Sequence, residues 1–445
     1  MKWCLYVHYS GIRLCVSLRI RFFIFFMVGL GSMANKFNKL IGFSAPVVLP
    51  ALLFTPLSAL AAGNYFDARN DAMGGVGVAS SSYGSAVLAN PALMTKAKPE
   101  DSVSIILPAV GAQISDKGKL VDKVDDLTNA VDSYKDLANN FVFPTDIPRA
   151  QSAAGDLADR LREIKGQKAW ANAGAAFAVT VPNEVLPFAF VTKAYGTASV
   201  VTDVTQSDID YLQGIADGTN IPTTAGLNSL TSAGLGRAAV VYDMGIAVAH
   251  EFDFGGQPVS LGITPKLQKT TLYNYSASVY SYDKSDFTNG NYKNTNTGFN
   301  LDAGASTDLG ENWTLGLSAQ NLISRDIDTK EVSGYKDTYQ IRPLVTSGVA
   351  YHTERLTTAL DVDLTPTKRF KTQQDSQYAA VGAEYRLLDW LQLRAGYRAD
   401  VKSNDTDVFT GGFGLSPFNK VHLDLAGMVG KDNTWGAVAQ LNFTF

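Results

Sequence analysis

Beyond residue 15 this sequence contains no cysteine, because its two, Cys4 and Cys15, lie at the extreme start. Disulfides, thiolate metal sites and thiol exchange are thereby excluded from everything downstream. Histidine is nearly as scarce. After His8 only His250, His352 and His422 remain, far apart, and no HExxH spacing occurs. No GxSxG nucleophile motif is present. The pair Gly75-Val76-Gly77 follows no strand and precedes no GK[ST], so it is not a phosphate loop. These absences leave no catalytic, metal or cofactor site, and the chain reads as a non-enzyme. After residue 61 there is also no apolar run of about eighteen residues, the length a membrane helix needs.

Basic residues are unevenly placed. Six of the 38 Lys and Arg, and none of the 42 acids, fall in residues 1–61, so the remainder is more acidic than the formal net charge of −4. An acidic remainder does not suit nucleic acid, and none is expected as a partner. Residues 1–61 read as an upstream extension plus signal peptide. Met33 opens a segment with a basic start (Lys36, Lys39), an apolar stretch from Leu40 to Leu60, and the small-residue site Ala59-Leu60-Ala61. A membrane anchor built from Phe22 to Leu30 with Ala45 to Leu60 is the competing reading.

What the rest of the chain has in abundance is alternation. From Trp435 to Phe445 every odd position is apolar (Trp435, Ala437, Ala439, Leu441, Phe443, Phe445), and most even positions are polar or glycine. Successive strand residues point to opposite faces, so this is a strand with one greasy face. The same period runs through Leu391–Arg398, Ala379–Arg386, Leu356–Asp363 and Val421–Ala426. Candidate strands fall near 102–115, 169–181, 186–202, 237–252, 257–272, 294–308, 313–323, 340–352, 355–364, 376–387, 390–399, 407–416, 420–429 and 434–445. A soluble sandwich alternates too. The connections discriminate, because those after even-numbered strands are tight (Gly255-Gly256, Thr353-Glu354, Leu388-Asp389) and those after odd ones are mostly long and polar. That parity belongs to transmembrane barrels, with short turns on the periplasmic rim. The expectation is an all-β transmembrane fold: an antiparallel outer-membrane barrel of about 14 strands over residues 102–445, bathed in outer-membrane lipid. Trp170, Trp313, Trp390 and Trp435 at strand ends suit an interfacial aromatic girdle.

Two long loops carry helical signals. Leu120, Val124, Leu127, Val131, Tyr134 and Leu137 recur at steps of three and four, and further helices are expected over 153–164 and 208–215. These helical extracellular insertions, about 117–168 and 205–235, are either a docking surface or a simple closure of the barrel top.

Residues 62–101 precede the first strand. The stretch DARNDAMGGVGVASSSYGSAVLANPALM, Asp67 to Met94, is rich in small residues and suits a compact segment in a confined space. Its Ala72-Met73-Gly74-Gly75, Gly77-Val78-Ala79 and Asn90-Pro91-Ala92-Leu93 resemble the N-terminal plug of FadL-type outer-membrane proteins. That resemblance implies a fourteen-stranded barrel whose hatch fills the lumen, and import of long-chain fatty acids or other hydrophobic compounds. Gly74, Gly75, Gly77, Asn90, Pro91 and Ala92 are the plug residues it singles out. Over nearly the whole chain after the leader, the sequence is also similar to the TraF-like family often labelled conjugal transfer proteins. The shared features are Phe66 to Arg69, Asn90-Pro91-Ala92-Leu93, Ile106-Leu107-Pro108 with Gly111-Ala112-Gln113, and the acidic helix after the first strand. This is not the thioredoxin-like TraF. The helical insertion after the first strand is larger than FadL-type importers imply, so no ligand residue carries over from them.

If the apolar set faces lipid, its alternates face the lumen: Arg342, Asp361, Asp363, Glu384, Arg386, Arg394, Arg398, His422 and Asp424. A charge on the lipid face would cost roughly 2–4 kcal/mol near the midplane, which supports this assignment. These groups either form a network holding the plug or line a polar path. The expected function is FadL-like passage of a small hydrophobic solute across a Gram-negative outer membrane. The alternative is a structural or interaction protein of the cell envelope, in a conjugation-type assembly or surface contact. The barrel-assembly machinery is the expected partner of the C-terminal strand ending in Phe445.

Overall fold

The computed structural model describes residues 66–280 and 292–445, with the Asn419 side chain left aside. The expected leader, residues 1–61, lies outside the described residues. The chain forms one closed barrel of fourteen antiparallel strands: β1 (Ser104–Ser115), β2 (Lys168–Val181), β3 (Phe188–Asp203), β4 (Ala233–Phe254), β5 (Gln257–Ser278), β6 (Lys293–Leu309), β7 (Trp313–Gln320), β10 (Leu344–His352), β11 (Leu356–Asp363), β12 (Tyr378–Leu388), β13 (Leu391–Asp400), β14 (Val408–Leu415), β15 (Val421–Gly430) and β16 (Thr434–Thr444). Two short strands, β8 (Arg325–Asp328) and β9 (Thr338–Ile341), form a separate hairpin between β7 and β10. Each barrel strand pairs with its neighbour in order, and β1 closes on β16 with Ser104 opposite Thr444. Closure leaves no edge, which is what a sheet in hydrocarbon requires. Among the described residues no helix is long and apolar enough to cross a membrane.

Alternation decides which face is which. Val381, Phe409 and Val429 are 50%, 64% and 62% exposed on the outer face, while their neighbours Ala380, Val408 and Met428 are buried. Strands β4 and β5 have 22 residues each, about twice what a bilayer needs, and their apolar outward band is confined to one half. Outward Ile263 and Leu267 give way to exposed Lys269, so this side of the wall rises beyond the apolar belt.

On the long-connection rim, Asp116 caps α3 (Leu120–Asn140) by accepting from the amides of Leu120 and Val121. This helix packs with α4 (Ile147–Ile164), α5 (Gln206–Ala216) and α6 (Thr224–Asn228) around Leu127, Val131, Tyr134, Leu157, Leu161 and Leu212.

Two expectations are corrected. Trp170 shares the inward face of β2 with Gly174, which meets the Phe66 ring, so it is not part of a lipid-facing girdle. Trp313, Trp390 and Trp435 are exposed at strand ends. The expected strand 340–352 is two elements, because Pro343 has no N–H to give a ladder and the chain turns there from β9 into β10. Arg342 consequently sits at the hairpin base rather than on the barrel wall. It donates to the carbonyls of Arg325 and Ile341 and pairs with Asp326 at 2.5 Å.

Candidate functional site in the barrel lumen

The lumen is occupied by residues 66–97, the segment that precedes β1, nearer the short-turn rim. Asp67 accepts from the amides of Arg69 and Asn70 and so starts α1 (Ala68–Ala72). Asn90 does the same for a 3₁₀ turn, Pro91–Lys96, accepting from Ala92 N–H, with Pro91 at the position where a missing N–H costs nothing. Between them α2 (Ala86–Ala89) packs Leu88 among the wall residues Ile106, Val191 and Val438. The segment is therefore ordered by its own caps and by the wall together.

The wall meets it with glycine. A methyl group on Gly262, Gly304, Gly316, Gly382 or Gly396 would come within 2.6 Å of atoms of residues 73–92, largely backbone. Only glycine permits two backbones to approach so closely. Gly74 and Gly75 supply the other half of the fit, with φ of 83° and 93°, in the left-handed region that L side chains avoid. Gly77 N–H and Val78 N–H both donate to Asp361, at 2.7 and 2.9 Å. Asn90 Nδ2 bridges the carbonyls of Val78 and Ala305, and buried Ala92 lies over Gly262.

Charge completes the attachment. Arg69 makes a two-pronged contact with Glu384, both bonds at 2.9 Å, and also donates to Ser80 O at 2.6 Å. Glu384 accepts from Arg394 at 2.7 Å, and Arg394 pairs with Asp424 at 2.5 Å. Two guanidinium groups and two carboxylates thus run unbroken from the N-terminal segment across β12, β13 and β15. Bidentate geometry gives such pairs both strength and orientation.

The other residues named from the sequence lie apart from this chain. Asp363 accepts from Thr346 Oγ1 and from Tyr378 N–H. Arg398 stacks on the Tyr378 ring, 5.2 Å from its centroid, and reaches Gln113. His422 sits between the Ser416 and Thr444 hydroxyls near the short-turn rim. Arg386 is exposed at that rim and joins none of them.

A second charged layer was missed from the sequence. Lys266 lies 3.0 Å from Asp243 and 2.8 Å from Asp302, and Lys193 is within 4.0 Å of both, all four buried. Their signal was the same alternation, present on β3 to β6 but read only on the later strands. Arg69 was overlooked for a different reason, since nothing in a glycine-rich segment says which wall residue it will meet. Above this layer the β8–β9 hairpin seals the long-connection side. Ile327, Tyr339, Ile341 and Phe370 pack against Ala239, Val241 and Leu272 of the wall. Small cavities remain, one of about 50 Å³ beside Asp361 and another of about 20 Å³ beside Tyr195 and Tyr339. Among the described residues no three His, Cys, Asp or Glu side chains gather as metal donors.

The architecture is thus a fourteen-stranded barrel with residues 66–97 packed inside it. Residues 87–363, more than half of the chain, match the family described as "F plasmid transfer operon, TraF, protein". The chain belongs to this TraF family. Among curated proteins no sequence matches. Among solved structures it is similar to a FadL homologue of Pseudomonas aeruginosa, at 13% identity and a TM-score of 0.50 over 88% of this chain and 99% of that one. The Ralstonia pickettii toluene transporter TbuX is similar at 12% identity and a TM-score of 0.49, over 86% and 98% of the two chains. For the Pseudomonas putida toluene transporter TodX the values are 14% and 0.48, over 88% and 98%. Identities this low carry the fold alone: this TraF-family chain has the fold of a FadL-type barrel.

Proposed function

We propose that this TraF-family protein is a gated barrel of a Gram-negative outer membrane, captured closed, which passes a small hydrophobic solute when residues 66–97 shift. The observation that carries the reading is the non-covalent seating of that segment, which acts as a plug. It fills the lumen, yet it is attached by hydrogen bonds and ion pairs that exchange partners without breaking a strand of the wall. Its packing against Ile106, Val191, Met428 and Val438 supports an apolar passenger at that level. The strand ending at Phe445 is the element the assembly machinery would engage.

The test uses the absence of cysteine after residue 15. Thr95 Oγ1 and Ser260 Oγ are 2.6 Å apart, one on the segment and one on β5. Thr95→Cys with Ser260→Cys is expected to form a disulfide that locks the plug. Cells displaying the reduced form should take up a small radiolabelled aromatic hydrocarbon faster than cells without the protein, and oxidation should abolish the difference. Uptake equal in all three cases would end the transport reading.

A second reading has its own observation. At the turn between α3 and α4, Val142 and Phe143 are 58% and 69% exposed, beside an α3 face bearing exposed Asp122, Asp125, Asp132 and Asp136. An apolar tip on an acidic helix supports contact with another envelope protein in a conjugation-type assembly, for which the barrel is an anchor.

A further inference from the structure

The cavity of about 50 Å³ lies where the N-terminal segment meets β7, β10, β11 and β12. Its lining includes Asp361, Asp363, Gln320, Ser318, Thr346 and Tyr378, with no Lys, Arg or His among the lining residues. Both carboxylates are more than nine-tenths buried, as is Gln320. Two acceptor atoms in it have no hydrogen-bond partner, Asp361 Oδ1 and Gln320 Oε1. Of the remaining oxygens, Asp361 Oδ2 is filled by two amides of the segment and the others are only half used. Asp363 accepts one hydroxyl and one amide, and the Ser318 hydroxyl donates to Ala89 O. Arg398 stacks on the Tyr378 ring, 5.2 Å from its centroid, and directs its Nη2 to Gln113.

We propose that this cavity binds a calcium ion. Two negative charges, an amide oxygen and two hydroxyl oxygens, with orphaned acceptors and no basic group in the lining, form a hard, oxygen-only donor set. Calcium accepts six to eight such ligands in irregular geometry and keeps water where protein oxygens are too few. One water needs roughly 10–15 Å³, so a cavity of this size holds an ion with a few waters. A pair of buried carboxylates held mainly by hydrogen bonds is otherwise costly, and a divalent ion neutralises it. Because Asp361 also holds Gly77 and Val78, the ion would tie the N-terminal segment to β11. This site is independent of whether any solute passes.

The experiment is a terbium titration of the purified full-length barrel in calcium-free detergent buffer, exciting tyrosine and reading Tb³⁺ emission, with ⁴⁵Ca²⁺ equilibrium dialysis beside it. Tyr378 lines the cavity and is placed to sensitise the ion. The expected result is one saturable site, displaced by calcium, whose affinity falls roughly tenfold or more in Asp361→Asn and in Asp363→Asn. Gln320→Glu adds a charge without changing size and should tighten binding. Tyr378→Phe should dim the emission. Heat-modifiable migration of each variant shows that it has folded. No saturable site in the folded wild-type barrel, or a site unmoved by all three acidic and amide substitutions, would overturn the proposal and leave the cavity to water.

Discussion

The barrel is closed at two levels, and the two closures are built on different principles. Toward the short-turn rim the N-terminal segment lies backbone-against-glycine, with Arg69, Glu384, Arg394 and Asp424 linked beneath it. Toward the long-connection rim the β8–β9 hairpin closes through side chains, with Tyr339 and Phe370 edge to face at 5.2 Å. Its peripheral ion pairs, Lys336–Asp328 and Lys371–Asp326, are about half exposed. Side chains can rotate and repack, whereas two touching backbones can part only by moving a whole segment. The outer closure is thus the one expected to yield to a small perturbation, and on the gated reading proposed above the inner one decides whether the lumen opens.

The comparison breaks most strongly at Glu384. Glu384→Ala leaves Arg69 and Arg394 facing each other without their shared carboxylate; losing one partner of a fully buried pair costs about 3–5 kcal/mol, and this half-buried pair should approach the lower end of that range. The boiling-induced band shift should occur at lower temperature, and planar-bilayer recordings should show ion leak. A variant as tight and as heat-stable as the parent would mean that glycine packing alone holds the segment. A smaller, local effect is expected from Phe370→Ala, which removes an aromatic from the hairpin cluster at roughly 3 kcal/mol. Proteolysis should then cut within 329–337 while the band shift stays put. If the band shift moves too, the two closures are a single cooperative unit.

The smallest effect belongs to the helices on the rim. Burial alone would raise the Asp208 carboxyl, but hydrogen bonds from the Ser232 hydroxyl and amide, Thr205 and Tyr280 outweigh it and hold its pKa below the ordinary 3.8. A depressed folded-state pKa contributes stability that is present above the unfolded value and lost as pH falls through the folded one. Helical circular dichroism and protease resistance of this module should hold from pH 7 to about 4 and weaken only below that. Asp208→Asn should be weaker at neutral pH and flatter with pH. A parent module already loosening at pH 6 would show that Asp208 is not its anchor.

Much of this architecture is legible in the chain because alternation is a local property. Leu391 to Arg398 states its own faces, and the parity of short and long connections states that the sheet closes. Alternation does not report where a strand stops being membrane wall, so Arg342 and Trp170 were misplaced. The first follows a pairing between β8 and β9 that is decided by distant residues, and the second depends on which face of β2 meets Phe66. The plug motif marks small residues suited to close approach, but Arg69 finds Glu384 across 315 positions, a distance no pattern spans.

By itself the sequence determined the barrel: a period of two, an even strand count, an acidic composition and no usable thiol permit little else in a membrane. Only the tertiary structure decided what fills it. Which inward charge meets which, and which glycine faces which carbonyl, depend on strand register and on the path of residues 66–97. Those are set by packing among residues hundreds of positions apart, and such contacts leave no periodic trace in the chain.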